Sequence, residues 1–234
     1  MIHKLISEPN TLRLLDLLGC QKWRHSYEEE KHQLRYQSEY GDLFFRLPIH
    51  LNFEERTSKG SFVTLNYLIV IIESGLAALG YFEDSDTIHH KVFRAYMVRK
   101  KQGKSQLKYL KTKGKSRAGS RIRLAESLQF FEDINQQLTE YQNTYRIDKI
   151  AVSLSTTLVP FFYGAKTRPP FEKTDPRLFH IPRHIASCTY ENLEKTRTFL
   201  RTGELKFPLE ASPVVQKLLQ QLTAFQPDAE TEDW

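Results

Sequence analysis

Apolar residues along this chain follow two periods, and each change of period marks an element. From Asn10 to Gly19 the residues Leu12, Leu14, Leu15, Leu17 and Leu18 predict a short helix, with Asn10 as its cap and Gly19 as its stop. Residues 20 to 33 are polar, and the run Glu28-Glu29-Glu30 reads as a solvated face. The clearest alternation comes next. Leu43, Phe45, Leu47, Ile49, Leu51 and Phe53 fall on one side, with Phe44, Arg46, Pro48, His50 and Asn52 between them. That pattern predicts a strand, and Pro48, with no N–H to give a ladder, makes it an edge strand or a bulged one. Gly41-Asp42 turns it back on a strand near residues 33 to 38, and the polar segment 54 to 61 (EERTSKGS) is the expected domain boundary.

Beyond that boundary, YLIVII at 67 to 72 is apolar throughout, as in a strand covered on both faces. Strands at 75 to 82 and 87 to 98 follow through Ser74-Gly75 and Asp84-Ser85-Asp86. Connections this short require an antiparallel meander. Leu124, Leu128, Phe131, Ile134, Leu138 and Tyr141 step by three and four, predicting an amphipathic helix over 119 to 143. A buried strand at 149 to 154 precedes a helix through Pro160, capped by Ser155 or Thr156 and ended by Gly164. A short strand at 178 to 181 and a helix at 189 to 202 follow, then a terminal helix at 212 to 225 and a disordered acidic tail. This order predicts an α/β fold with a mixed sheet. The expected divisions are a helix-and-hairpin extension (1–60), a central domain (61–204) and a C-terminal helix with tail (205–234).

Charge changes the picture. The chain has 34 Lys and Arg against 28 Asp and Glu, yet residues 91 to 123 hold 13 of those cations and no carboxylate. The remainder is net negative, so the positive charge is one concentrated patch, the footprint of a protein that binds a polyanion, nucleic acid foremost. Gly103, Gly114, Gly119 and several serines predict a long loop here, between the third meander strand and the long helix. Loops of that size inside a compact domain are usually functional. Its candidate RNA contacts are Lys100, Lys101, Lys104, Lys108, Lys111, Lys113, Lys115, Arg117, Arg121 and Arg123, with Gly103 allowing close backbone approach. The two cysteines, Cys20 and Cys188, match no metal or redox spacing and fit free thiols in a reducing compartment. The first residues form no signal peptide, and no apolar run nears the ~20 residues a membrane helix needs. A cytosolic protein is expected.

Within the basic stretch, Tyr96-Met97-Val98-Arg99-Lys100-Lys101-Gln102-Gly103-Lys104-Ser105-Gln106 resembles the pattern Tyr-x-Val-Arg-x-Lys-x-Gly-x-x-Gln of the Vms-type release-factor domain. Ala118-Gly119-x-x-Ile122-Arg123 is similar to the Ala-Gly-x-x-Leu-Arg of the same family. The resemblance spans roughly residues 61 to 204 in its order of elements. It implies a ribonuclease-H-like sheet, like that of the middle domain of eukaryotic and archaeal release factors, and makes 61–204 the catalytic domain. It also implies a factor of ribosome-associated quality control, acting on peptidyl-tRNA at the large ribosomal subunit. By the same resemblance Gln106, Arg99 and Tyr96 form the catalytic set.

The residue chemistry fits that set. A Gln amide is neutral but donates and accepts hydrogen bonds together, so Gln106 can place a water or hydroxyl against an electrophile. Arg99 can hold a phosphate or developing negative charge, and Tyr96 can stack on a base or share the core face of Val92 and Val98. Two reactions are implied: tRNA cleavage near its 3′ end, with a 2′-hydroxyl attacking, or hydrolysis of the peptidyl ester. The chain departs from ordinary release factors in reading Gly103-Lys104-Ser105-Gln106 where they carry Gly-Gly-Gln. It also lacks the cysteines for the zinc finger of eukaryotic relatives, so a compact, monomeric, bacterial-type member is the expectation. No cofactor or metal is expected, since the predicted strands carry Glu73, Asp148 and few other carboxylates. A non-catalytic RNA-binding protein anchored by the same loop is the alternative.

Overall fold

A computed structural model describes residues 1–95 and 115–223, with the backbone alone at 115–127 and at 223. Its elements run β1 (Ile2–Ile6), α1 (Glu8–Gly19), β2 (Arg24–Glu28), β3 (Gln33–Ser38), β4 (Gly41–Arg46), β5 (Leu51–Glu54), β6 (Lys59–Phe62), β7 (Asn66–Glu73), β8 (Leu76–Glu83) and β9 (Asp86–Arg94). They continue as α2 (Lys115–Thr144), β10 (Lys149–Leu154), α3 (Val159–Gly164), β11 (Leu178–His180), α4 (Tyr190–Arg201), β12 (Gly203–Phe207) and α5 (Ser212–Thr223). Two units result: residues 65–196, and residues 1–64 together with those from 197 onward.

The 65–196 unit is built on one sheet of order β11-β10-β7-β8-β9. The meander β7-β8-β9 is antiparallel, while β10 runs parallel to β7 and β11 parallel to β10. This is the mixed sheet predicted from sequence, in the ribonuclease-H-like order. Central β7 is apolar because both of its faces are covered. Leu68, Val70 and Ile72 join Phe131, Ile134 and Leu138 of α2 and Phe162 of α3 in one core. Each such side chain, fully buried, contributes on the order of 1.5–3 kcal/mol. On the other face Gly80 admits α4: a Cβ there would lie 2.7 Å from the Phe82 ring and 2.8 Å from Leu193 Cδ2. Gly75, at φ +76°, makes the β7–β8 turn that a side chain would strain. Pro160 sits in the first turn of α3 as expected. Neither Ser155 nor Thr156 caps that helix, however. Leu158 holds the cap position, and Ser155 Oγ bonds Thr157 Oγ1 at 2.9 Å instead.

The other unit pairs the two ends of the chain in a sheet of order β1-β12-β4-β3-β2. β1 meets β12 with Ile2 opposite Phe207, and α1 and α5 close its inner face over Leu43, Phe45, Leu205 and Phe207. The single strand predicted over 43–53 is broken. Leu43, Phe45, Leu47, Ile49 and Leu51 are all buried as the alternation requires, but β4 ends at Arg46 and β5 begins at Leu51. The break centres on Pro48, whose carbonyl accepts from Leu51 N at 3.0 Å in a tight turn. Segment 54–61, the expected boundary, lies largely within the β5–β6 hairpin. Asn10 is not the cap of α1; Ser7 is, and its carbonyl accepts from Asn10 N and Thr11 Oγ1, both at 3.0 Å. Arg46, 2% exposed, donates to the carbonyls of Leu47, Phe199 and Thr202, the last two at the C-terminal end of α4.

Candidate nucleic-acid interface

The basic stretch leaves the sheet from β9, an edge strand with a bulge. Tyr81 pairs with His89 and Phe82 with Thr87, so Ile88 is the extra residue and the faces exchange there. His89, Lys91 and Phe93 consequently turn toward α2, while His90 lies against Tyr190, with ring centroids 4.2 Å apart. Adjacent strand residues alternate faces, so His89 and His90 lie on opposite sides of β9.

Two hydrogen bonds fasten α2 along β9. His89 Nδ1 and the Tyr141 hydroxyl are 2.7 Å apart, and Lys91 Nζ donates to Gln137 Oε1 at 2.6 Å. Burial, helped by Tyr145 and Glu140 nearby, pushes the Tyr141 phenol well above its ordinary pKa, so it stays protonated. The last strand bond runs from Ala95 N to Gly75 O at 2.8 Å. Helix and strand run antiparallel here, since Tyr141 meets the start of β9 and Gln137 its middle. With a rise of about 1.5 Å per helical residue and about 3.3 Å per strand residue, α2 draws level with Ala95 near residue 128. The remaining turns, 115–127, carry roughly 20 Å of helix past the level of Ala95.

The predicted interface residues divide accordingly. Lys115, Arg117, Arg121 and Arg123 belong to that projecting part of α2. Tyr96, Arg99, Lys100, Lys101, Gly103, Lys104, Gln106, Lys108, Lys111 and Lys113 lie outside the described residues. The first turn of α2 contains no acidic residue and begins with Lys115 and Arg117. Cations at the positive pole of a helix repel it, and an anion there relieves the repulsion.

β9 points the same way as β7, β10 and β11, so the basic stretch departs from the end of the sheet where these parallel strands finish. The two strand-associated carboxylates noted in the sequence do not meet there. Glu73 closes β7 at that end, whereas Asp148 accepts from Asn66 N at the other end, about 20 Å away by strand rise. Among the described residues no three His, Cys, Asp or Glu side chains group to hold a metal. Cys188 is buried, and burial, with the Glu73 charge, pushes its thiol up to about 12. Sequence reasoning missed Asn135 and Gln137, polar side chains buried beside the apolar stripe of α2. Asn135 donates to the carbonyls of Phe162 and Thr167, tying α3 to α2. Their position inside the helical spacing of the stripe was the available signal.

A family model described as "Bacteroidetes VLRF1 release factor" matches residues 67–206, more than half of the chain. That span runs from β7 into β12 and takes in the whole basic stretch. Among solved structures, the "Vms1 mitochondrial localization core" aligns with a TM-score of 0.43 and 13% identity, over 87% of this chain and 99% of that one. No curated protein matches the chain.

Proposed function

This chain belongs to the Bacteroidetes VLRF1 release-factor family, and from that premise we propose that it frees nascent chains from stalled peptidyl-tRNA on the large ribosomal subunit. Gln106 positions the attacking oxygen. Arg99 neutralises charge that develops on the reacting group, and Tyr96 supports both. The lysines and arginines of 100–123 hold RNA phosphates and supply affinity, while the neutral amide supplies rate. The catalytic domain in this reading is 61–204, and the protein works in the cytosol without a metal or cofactor of its own.

The observation that carries the reading is the coincidence of two independent features. The family match spans the Tyr96-to-Gln106 run, and that run follows directly on Ala95, whose N–H is bonded to Gly75 O at the end of the edge strand β9. The acid-free first turn of α2 favours a polyanion beside it. Two balanced reactions are open to such a site. A tRNA 2′-hydroxyl can attack the adjacent phosphorus, expelling the 5′-oxygen of the next nucleotide and leaving a cyclic phosphate. Alternatively, water attacks the ester carbonyl, and the tRNA 3′-oxygen leaves with a proton.

The side chains Lys104 and Ser105, standing where ordinary release factors have glycine, favour the first reaction by narrowing the backbone freedom ahead of Gln106. The test is to isolate tRNA from purified stalled large-subunit complexes after incubation with the protein. Expected is a 3′-shortened tRNA bearing a cyclic phosphate, formed together with peptide still esterified to the released 3′ nucleotides. Full-length tRNA with free peptide would transfer the reading to ester hydrolysis. Intact peptidyl-tRNA would leave only the anchoring role.

A further inference from the structure

Helix α3 carries an aromatic side chain that its own core does not use. Phe161 is 48% exposed, although its neighbour Phe162 is 1% exposed inside the sheet-and-helix core. The Phe161 ring is held in place, stacked on Phe131 of α2 at 6.2 Å and 15°. Beside it Leu128 is 43% exposed, one turn ahead of Phe131 on the same stripe and at the level where α2 passes the end of the sheet. The segment that follows α3 is cationic. Lys166 and Arg168 are exposed with no carboxylate partner among the described residues, and Lys173 Nζ lies 5.4 Å over the Tyr163 ring. Only Glu172 opposes them between 159 and 173.

A fixed, half-exposed ring followed closely in the chain by exposed cations, in a segment that Asn135 ties to the same helix through Phe162 O and Thr167 O, is a combination suited to unpaired nucleotides. The ring stacks on a base, and the cations meet the phosphates on either side. Bases paired inside an RNA helix offer no free face to such a ring, so a single strand is favoured over a duplex. A hydrophobic protein surface would use Phe161 and Leu128 but has no need of Lys166 and Arg168. We propose that Phe161, Lys166 and Arg168 form a second RNA contact that grips a single-stranded segment of the RNA whose cleavage or release the basic stretch carries out. The inference rests on the release-factor reading for the identity of that RNA, but the surface itself can be tested without it.

The probes are a ten-nucleotide oligoadenylate and an abasic oligomer of equal charge, titrated against the full chain by fluorescence anisotropy. Phe161→Ala should weaken oligoadenylate binding roughly 5- to 100-fold and leave the abasic oligomer unaffected, because only stacking is lost. Phe161→Trp should bind oligoadenylate at least as well as the parent, which excludes a folding defect as the cause. Lys166→Ala with Arg168→Ala should weaken both oligomers equally and lower the salt dependence of each. Equal oligoadenylate binding by parent and Phe161→Ala would overturn the proposal. If that variant then also lost ribosome sedimentation, a protein face would be the partner of this surface instead. Peptide release from stalled complexes, measured separately, reports on the release-factor reading, so either idea can fail alone.

Discussion

At the scale of single residues, chemistry that looked ordinary in the sequence is concentrated in a few buried polar groups. Glu204 stands opposite Arg46 in the β12–β4 pairing, with its Oε2 3.6 Å from Arg46 Nε and 3.2 Å from Lys206 Nζ. Burial works to raise its carboxyl pKa. The His3 hydrogen bond, Lys206 and Arg46 outweigh that effect and hold the group below the usual carboxylate range. Burial in turn draws Arg46 down to about 10, against the pull of Glu204. Because the folded carboxyl titrates below its unfolded value of about 4.3, the stability it contributes is complete above that value and is lost as pH falls through the folded pKa. Glu204→Gln should cost roughly 3 kcal/mol at pH 7, the low end for breaking a buried pair, since Arg46 keeps three carbonyl acceptors. It should also flatten the loss of stability between about pH 5 and pH 3. Denaturant melts across that range check both effects, with Glu191→Gln, at a solvent-screened exposed pair with Lys195, expected to melt as the parent does. Neither half of this pair was legible beforehand: Arg46 was read onto a polar strand face, and no strand was predicted at 203–207.

At the scale of elements, what the sequence revealed was local periodicity, and what it hid was pairing at long range. β7, β8, β10 and α2 fall close to their predicted bounds because six or more residues of each repeat one period. β1 and β12 escaped prediction for the opposite reason. Each has five residues, β1 exposes Leu5 at 63%, and β12 buries Glu204, so their partnership shows in register alone. Of the α2 stripe, Phe131, Ile134, Leu138 and Tyr141 are all buried, while Leu128, level with Ala95 by rise, is exposed. This predicts an asymmetry along the helix. Ile134→Ala, at a position with no exposure, should destabilise the protein by about 2–4 kcal/mol through the cavity it leaves. Leu128→Ala should cost less than about 1 kcal/mol. Equal losses in chemical denaturation would mean that the sheet continues to support the helix beyond Ala95.

At the scale of the whole molecule, charge and fold divide the labour. Most of the chain builds two cores, and 13 of its 34 cations stand, with no carboxylate among them, in the stretch from the edge strand β9 into helix α2. The family was legible from eleven residues, Tyr96 to Gln106, whose types and spacing match its pattern, and the family model spans them. The second surface on α3 was not legible, since nothing in the order of residues distinguishes an exposed Phe161 from a buried Phe162. The central claim is that the basic stretch binds while Gln106 catalyses, and release of labelled peptide from purified stalled large-subunit complexes, run beside sedimentation binding, separates the two. With Gln106→Ala, release should fall roughly 10²- to 10³-fold, as when a positioned hydrogen-bond donor is deleted. Ribosome affinity should stay within about two-fold of the parent, because phosphate contacts supply it. Release by Gln106→Ala at the parent rate would contradict the account and leave the stretch as an anchor.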